Sequence, residues 1–168
     1  MSAHHQSPQR RSRPLPATID PVQQSLSDAA SRCAGQGARL TSRRAQVLEC
    51  LLRRGGKAKA YDLLADIQAV ERSIAPMTVY RALDFLVEQG LVHKVATNAT
   101  FVVCQHEGHH AMHETVFLVC ERCGSTTEWH DADLGQRLGN ALASSGFHSH
   151  EVEIKGECAS CTDPSVRA

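Results

Sequence analysis

Hydrophobic residues recur at helical spacing through the first half of this chain. Their spacing predicts one helix over about residues 25–34, a second from about Thr41 to the glycine pair at 55–56, and a third over about residues 60–70. The inward-facing positions of the second and third helices are Val47, Leu48, Leu51, Leu52, Leu63, Leu64 and Ile67.

The fourth predicted helix has the clearest pattern. Pro76 suits a first helical turn, and Gly90 suits the position just after a helix end. An apolar stripe on one side of this helix consists of Val79, Leu83, Leu86 and Val87. The opposite side presents Met77, Tyr80, Arg81, Asp84 and Glu88.

Two short strands follow this helix, over residues 91–95 and 100–103, with a turn at 97–99. Helices that end in a short hairpin form the winged variety of the helix-turn-helix. Tyr80 and Arg81 would then face the major groove of DNA, where an arginine donates two hydrogen bonds to guanine. A plain helical bundle with a polar outer side is an alternative interpretation of the same periodicity.

The second half of the chain predicts a small α/β unit. Strands are expected over residues 115–120, 125–130 and 151–155, and an amphipathic helix over 133–145. Because this unit has few aromatic residues, its own core is thin, and a structural metal or a partner subunit would compensate.

By contrast, residues 1–24 contain four prolines and little apolar material, which predicts a disordered tail.

The net charge of the 168 residues is zero, but the charges are distributed unevenly. Residues 32–95 contain eleven Lys and Arg against six Asp and Glu, whereas residues 96–168 contain four against ten. The basic segment is the candidate for phosphate contact, with chance variation of surface charge as the alternative.

No apolar run could span a bilayer and no signal peptide is evident, so a cytoplasmic protein is expected.

Two Cys-x-x-Cys pairs indicate a metal site in the second half. They are Cys120 with Cys123 and Cys158 with Cys161, and 34 residues separate the pairs. Four thiolates match tetrahedral zinc in a closed, structural site, although the gap is longer than in a simple zinc ribbon. A redox-active Cys-x-x-Cys is the competing interpretation, which two pairs make less favoured.

Further metal-ligating residue types are scattered along the chain. Taken singly, each has an ordinary structural explanation as a wing residue, a small buried hydrophobe, a loop residue or a carboxylate at a strand edge. These residues are His93, Cys104, His113 and Glu128.

Several stretches of the chain resemble the ferric uptake regulator family. The longest are residues 78–86 (Thr-Val-Tyr-Arg-Ala-Leu-Asp-Phe-Leu) and 88–95 (Glu-Gln-Gly-Leu-Val-His-Lys-Val). Shorter ones follow the expected order at residues 39–41, 61–64, 120–124 and 158–161. The resemblance covers roughly residues 25–162, and the zinc-responsive members are the most similar.

This resemblance implies a tail over residues 1–24, a winged-helix DNA-binding domain over 25–103 and an α/β dimerisation domain over 104–168. It implies a zinc-responsive transcriptional repressor that binds palindromic operator DNA as a homodimer and controls zinc-uptake genes. No catalytic activity, small-molecule substrate or membrane association is expected. The resemblance implies two zinc ions per subunit, and the matching positions are Cys120, Cys123, Cys158 and Cys161 for structural zinc, His93, Cys104, His113 and Glu128 for regulatory zinc, and Tyr61, Tyr80 and Arg81 for DNA.

An iron- or peroxide-sensing member of the family is the alternative. Iron sensors have dense His and Asp residues just before the first Cys-x-x-Cys, whereas residues 115–119 here are mostly apolar. Cys104 also offers a soft thiolate, which favours zinc over iron or manganese. A zinc hydrolase or deaminase is a further alternative, but the deaminase pattern needs proline where this chain has Val119.

The loop over residues 105–110 is short and unusually rich in histidine. Its histidines, together with His150 and with Glu107 or Asp133, would form a weak third zinc site. The favoured interpretation is a solvated loop that binds metal only weakly. The loop histidines are His106, His109 and His110.

Overall fold

The computed structural model describes residues 20–104, 115–146 and 151–162. Residues 20–104, here the N-terminal unit, contain four helices and a three-stranded antiparallel sheet of order β1-β3-β2. The elements are α1 (Pro21–Gly35), α2 (Ser42–Arg53), β1 (Lys57–Lys59), α3 (Ala60–Val70), α4 (Pro76–Glu88), β2 (Val92–Val95) and β3 (Thr100–Val103). All four helices predicted from the apolar spacing are present.

The beginning of α1 corrects the predicted boundary of the tail. The helix begins at Pro21 rather than at residue 25, so residues 21–24 are helical. The Asp20 side chain accepts a hydrogen bond from the Val22 amide at 3.0 Å, and Pro21 occupies the first helical position. An aspartate cap followed by proline is a helix start signal, which the proline-rich composition of the tail obscured.

Helix α4 packs through the stripe that its sequence predicts. Val79, Leu83 and Leu86 have no exposed surface, and α4 packs against α2. Gly90 follows the helix with φ 63°, a left-handed conformation that glycine adopts without steric cost. The opposite side of α4 therefore faces outward.

The sequence did not predict β1, which adds a third strand to the predicted hairpin. Ala58 lies opposite Phe101 of β3 and is buried, whereas Lys57 and Lys59 are exposed. We call the β2–β3 hairpin, residues 92–103, the wing. Cys104 extends it by one residue, because its amide donates to Leu91 O at 3.0 Å.

Residues 115–146 and 151–162, here the C-terminal unit, form a second three-stranded sheet. Its order is β5-β4-β6, with β4 antiparallel to β5 and parallel to β6. The helix after β5 begins and ends slightly earlier than predicted, and a short helix near the C-terminus was not predicted. The elements are β4 (Thr115–Cys120), β5 (Thr126–His130), α5 (Ala132–Ala143), β6 (Val152–Gly156) and α6 (Ala159–Thr162).

The two units meet where the wing packs on one face of the C-terminal sheet. Val95 and Val102 from the wing form one buried cluster with Phe117 and Val119 from β4. We call this cluster the joint. The mixed helix-and-sheet fold agrees with the predicted fold class, and among the described residues no helix has the length and hydropathy to cross a bilayer.

Candidate metal centres and nucleic-acid interface

The two Cys-x-x-Cys pairs come together at one end of the C-terminal sheet. Cys120 ends β4, and its parallel neighbour in β6 is Gly156, two residues before Cys158. The Glu121 amide donates to Gly156 O at 2.9 Å, and this bond joins the segment of the first cysteine pair to that of the second. The sulfur atoms of Cys120, Cys123, Cys158 and Cys161 all lie within 4.8 Å of one another.

The environment of these sulfurs suits thiolate ligands. The Cys158 amide donates to Cys120 Sγ at 3.3 Å, and this bond is the main cause that lowers the pKa of Cys120 to about 6. Hydrogen bonding to Cys158 and burial instead raise the pKa of Cys161 to about 12. Backbone amides thus cause the shift at Cys120, whereas burial and the neighbouring thiols that crowd the same space cause the shift at Cys161. A dication that accepts four sulfur donors relieves this crowding, and zinc has this preference.

A second group of metal-ligating side chains lies at the contact between the two units. Ligand atoms of His93, Cys104 and Glu128 lie within 4.8 Å of one another. His93 Nε2 is 3.9 Å from Glu128 Oε1, and only 4% of the Glu128 side chain is exposed. Cys104 is buried as well. Nitrogen, sulfur and carboxylate donors in this arrangement suit a borderline-soft dication such as zinc.

Each of the three side chains reaches this position from a different element. His93 lies in β2 opposite Val102, and Cys104 directly follows β3. Glu128 lies in β5 opposite Phe117, whose ring is 5.3 Å from the His93 ring between centroids. The group therefore includes donors from both units and borders the joint.

The fourth predicted ligand of this group, His113, lies outside the described residues. So do His106, Glu107, His109, His110 and His150, on which the weak third zinc site depends. Asp133 is described; its side chain is largely exposed, and Arg137 Nη2 lies 3.0 Å from its carboxylate. The Asp133 carboxylate is thus engaged by a cation on its own helix.

The predicted DNA-contacting residues lie on the outer surface of the N-terminal unit. Tyr61, in the first turn of α3, is 74% exposed, and Tyr80 on α4 is 41% exposed. Arg81 is exposed beside Tyr80, and Met77 shares this side of α4. These side chains are therefore accessible to a binding partner on this surface.

Two arginines of α2 contact neighbouring parts of the N-terminal unit. Arg43 forms an ion pair with Glu71, while the Arg44 guanidinium lies 3.4 Å from the centre of the Phe85 ring. Arg44 also donates to Arg39 O at 2.7 Å. These contacts attach the basic α2 helix to the core that holds α4.

Three residues with no functional signal in the sequence link the two units. Glu153 of β6 accepts the amides of Ala96 and Thr97 at 2.6 and 3.0 Å. Asn98 donates to Gly124 O and Thr126 Oγ1 at 3.1 and 2.7 Å, and Lys57 Nζ is 3.4 Å from Thr126 O. Most of these partners are main-chain atoms, so no residue pattern could reveal the contacts.

The chain has relatives among known proteins. A zinc uptake regulation protein of Escherichia coli strain K12 is 36% identical over 144 residues, which is 84% of either chain. A solved structure of a zinc uptake regulator complexed with zinc and DNA is 34% identical, with a TM-score of 0.74 over 87% of this chain and 98% of that one. The crystal structure of holo XcZur is 39% identical, with a TM-score of 0.66 over 82% and 96%. Residues 35–156 match the sequence pattern of the Ferric uptake regulator family, and the chain belongs to that family.

Proposed function

We propose that this protein is a zinc-responsive transcriptional regulator that, as a zinc-loaded homodimer, binds palindromic operator DNA and represses zinc-uptake genes. The zinc uptake regulation protein of E. coli and the regulator complexed with zinc and DNA support the metal and the nucleic acid. The principal observation is the group formed by His93, Cys104 and Glu128, whose donors from both units lie within 4.8 Å. Membership of a family of regulators also agrees with the prediction that the chain is not an enzyme.

Two zinc sites per subunit would have different tasks. Cys120, Cys123, Cys158 and Cys161 would hold a structural ion, because four protein sulfurs leave no open position. His93, Cys104 and Glu128 would hold the regulatory ion together with His113, which would supply the fourth ligand of a tetrahedral set. A weak third site, formed by His106, His109, His110 or His150, remains a secondary proposal for the histidine-rich loop.

We call His93, Cys104 and Glu128 the regulatory group. Its position explains how a metal ion would control the relative orientation of the two units. His93 and Cys104 belong to the wing and its extension, whereas Glu128 belongs to the C-terminal sheet. The three ligands satisfy one ion only when the units adopt one relative orientation, so binding selects that orientation. Changing the ratio of the two orientations from 1:99 to 99:1 requires a preference of about 5.5 kcal/mol. By linkage, operator DNA tightens zinc binding by the same factor.

The outer side of α4 is the proposed reading surface. Arg81 is placed to donate two hydrogen bonds to guanine, while Tyr80 and Tyr61 supply contacts to thymine methyl groups or phosphates. A fixed orientation of the units sets the separation of the two α4 helices in the dimer. Helices one turn of DNA apart match the half-sites of a palindrome.

The face of the C-terminal sheet that points away from the wing supports the proposed dimer. Leu118 lies beside Ile154 in register, and Trp129 lies opposite Val116, so these three exposed side chains share one face. Half-buried leucines of α5 add further apolar surface. A unit with so small a core gains stability when a second copy covers such a face.

A buffered-metal titration tests this function. Operator DNA is first selected from a random library with zinc-loaded protein, and its binding to metal-stripped and reloaded protein is followed by fluorescence anisotropy. Zinc should restore sequence-specific binding, and iron or manganese at equal free concentration should not. Restoration by iron alone would instead identify the iron- or peroxide-sensing alternative, and no metal-dependent binding would reject the function.

A further inference from the structure

A row of three residues across the C-terminal sheet faces the wing. Phe117 in β4 lies directly opposite Glu128 in β5 and directly beside Glu153 in β6. Residues paired in this way project from the same face of a sheet. Glu128 approaches His93, Phe117 packs on the His93 ring, and Glu153 reaches the turn that ends β2. One face of the sheet thus contacts both the metal-ligating residue and the turn beside it.

Glu153 binds this turn through main-chain amides. Both carboxylate oxygens are used, one by Ala96 N–H at 2.6 Å and the other by Thr97 N–H at 3.0 Å. Hydrogen bonds to a charged acceptor are stronger than neutral ones. Burial raises the pKa of the Glu153 carboxyl, but the bonds from Thr97 and Ala96 outweigh burial, and the net pKa lies below its ordinary value. The carboxylate is therefore ionised wherever the protein works near neutrality.

Asn98 attaches the same turn at a second point. Its amide nitrogen donates to Gly124 O, next to Cys123, and to Thr126 Oγ1. Its oxygen accepts the Thr100 amide at 3.2 Å and shapes the turn in which Ala99 adopts φ 54°. We call the bonds made by Glu153 and Asn98 the wing latch. None of them uses an atom of the regulatory group.

We propose that Glu153 is a positioning residue that holds the wing against the C-terminal sheet before regulatory zinc binds, and thereby sets the zinc concentration at which the protein responds. This proposal rests on the proposed function. Ala96 lies three residues after His93, so fixing its amide restricts where the His93 ring can lie relative to Glu128. Metal affinity falls in proportion to the fraction of molecules in the binding-competent orientation. The latch raises that fraction without contributing a ligand.

Glu153→Gln tests the proposal with little change of shape. The amide nitrogen that replaces one oxygen faces an N–H donor and cannot accept its bond. We expect the zinc concentration for half-maximal operator binding to rise about tenfold, with operator affinity at saturating zinc unchanged within about twofold. Asn98→Ala weakens the latch from the other side and should shift the midpoint in the same direction. The matched control is Glu157→Gln, which removes an equal charge just after β6, where Glu157 faces Arg122 at 3.7 Å.

Amide hydrogen exchange provides a readout that is independent of DNA. In protein with zinc only at the four cysteines, the Ala96 and Thr97 amides should exchange slowly, and Glu153→Gln should accelerate both selectively. Fast exchange of these amides in the unaltered protein would refute the latch, as would an unchanged zinc midpoint in Glu153→Gln. A loss of operator affinity at saturating zinc would also overturn the proposal, because it indicates general structural damage. Absence of zinc-dependent DNA binding in the unaltered protein refutes the proposed function, while the exchange data still decide on the latch.

Discussion

Replacing Phe117 with alanine should weaken both the stability of the protein and its response to zinc. The Phe117 side chain has no exposed surface and forms the joint with Val95, Val102 and Val119. Truncating a buried phenylalanine to alanine costs about 3–5 kcal/mol, because the apolar contacts are lost and a cavity remains. Small domains are stable by about 5–15 kcal/mol, so the variant should be studied at low temperature. Phe117→Leu keeps more of the apolar volume and should show a smaller effect in the same direction.

The effect on the zinc response follows from where the cavity forms. The cavity opens between the wing and the C-terminal sheet. The binding-competent orientation of the units therefore loses more stability than either unit does by itself. Each 1.4 kcal/mol lost from that orientation is a factor of ten in its population. A joint weakened by this amount raises the zinc midpoint for operator binding about tenfold. Urea unfolding measures the stability, and a zinc titration followed by DNA anisotropy measures the midpoint.

Leu51→Ala separates the role of the joint from general destabilisation. Leu51 is also fully buried, but it belongs to the helical core of the N-terminal unit. The truncation should lower the free energy of unfolding by about 2–5 kcal/mol. It should leave the zinc midpoint close to that of the unaltered protein. If both variants shift the midpoint equally, the joint has no special part in the metal response and the reasoning is wrong.

Four further outcomes are expected. Cys104→Ser should retain a folded dimer by size-exclusion chromatography but lose zinc-dependent operator binding, because the proposed thiolate ligand is removed. Cys158→Ser should lose the structural zinc, measured by metal content, and should unfold or dissociate; a stable, metal-retaining dimer would contradict the structural role. Arg81→Ala should lose about 1–3 kcal/mol of specific binding; an equal loss on random DNA would make Arg81 a phosphate contact. Operator affinity at limiting zinc should fall as the pH drops, since protons compete with zinc for the nitrogen and sulfur donors of the proposed site; a flat profile of anisotropy midpoints between pH 8 and pH 6 would contradict this.

Local signals predicted the helices well. In α4, Pro76, Gly90 and an apolar stripe at helical spacing agree with one another, and the helix spans Pro76–Glu88. β1 has no such agreement, because a single alanine between Lys57 and Lys59 is too short an alternation to indicate a strand. That segment is a strand only because β3 supplies its hydrogen-bond partners. Strands of this kind depend on tertiary context, which propensity does not contain.

The two metal-ligating groups also differ in how far local sequence signals predict them. The cysteine pairs were recognisable from spacing, because the two cysteines of each pair are only three residues apart in the sequence. His93, Cys104 and Glu128 have no common spacing, and only the packing of the wing on β4 and β5 brings them near one another. Resemblance to a family suggested this group, whereas periodicity alone did not. Glu153 had no signal at all, since its partners are main-chain amides that every residue has.

The register of the C-terminal sheet links the structural cysteines to the regulatory group. A slip of one residue between strands moves every side chain to the opposite face. In the observed register, Phe117, Glu128 and Glu153 face the wing, while Leu118 and Ile154 face away. The pairing of β4 with β6 ends at Cys120, where the sulfurs of the four cysteines lie within 4.8 Å of one another. We therefore expect an ion at the four cysteines to do more than add stability: by holding β4 and β6 in this register, it would fix which sheet face the wing meets, and so where Glu153 can hold the turn beside His93.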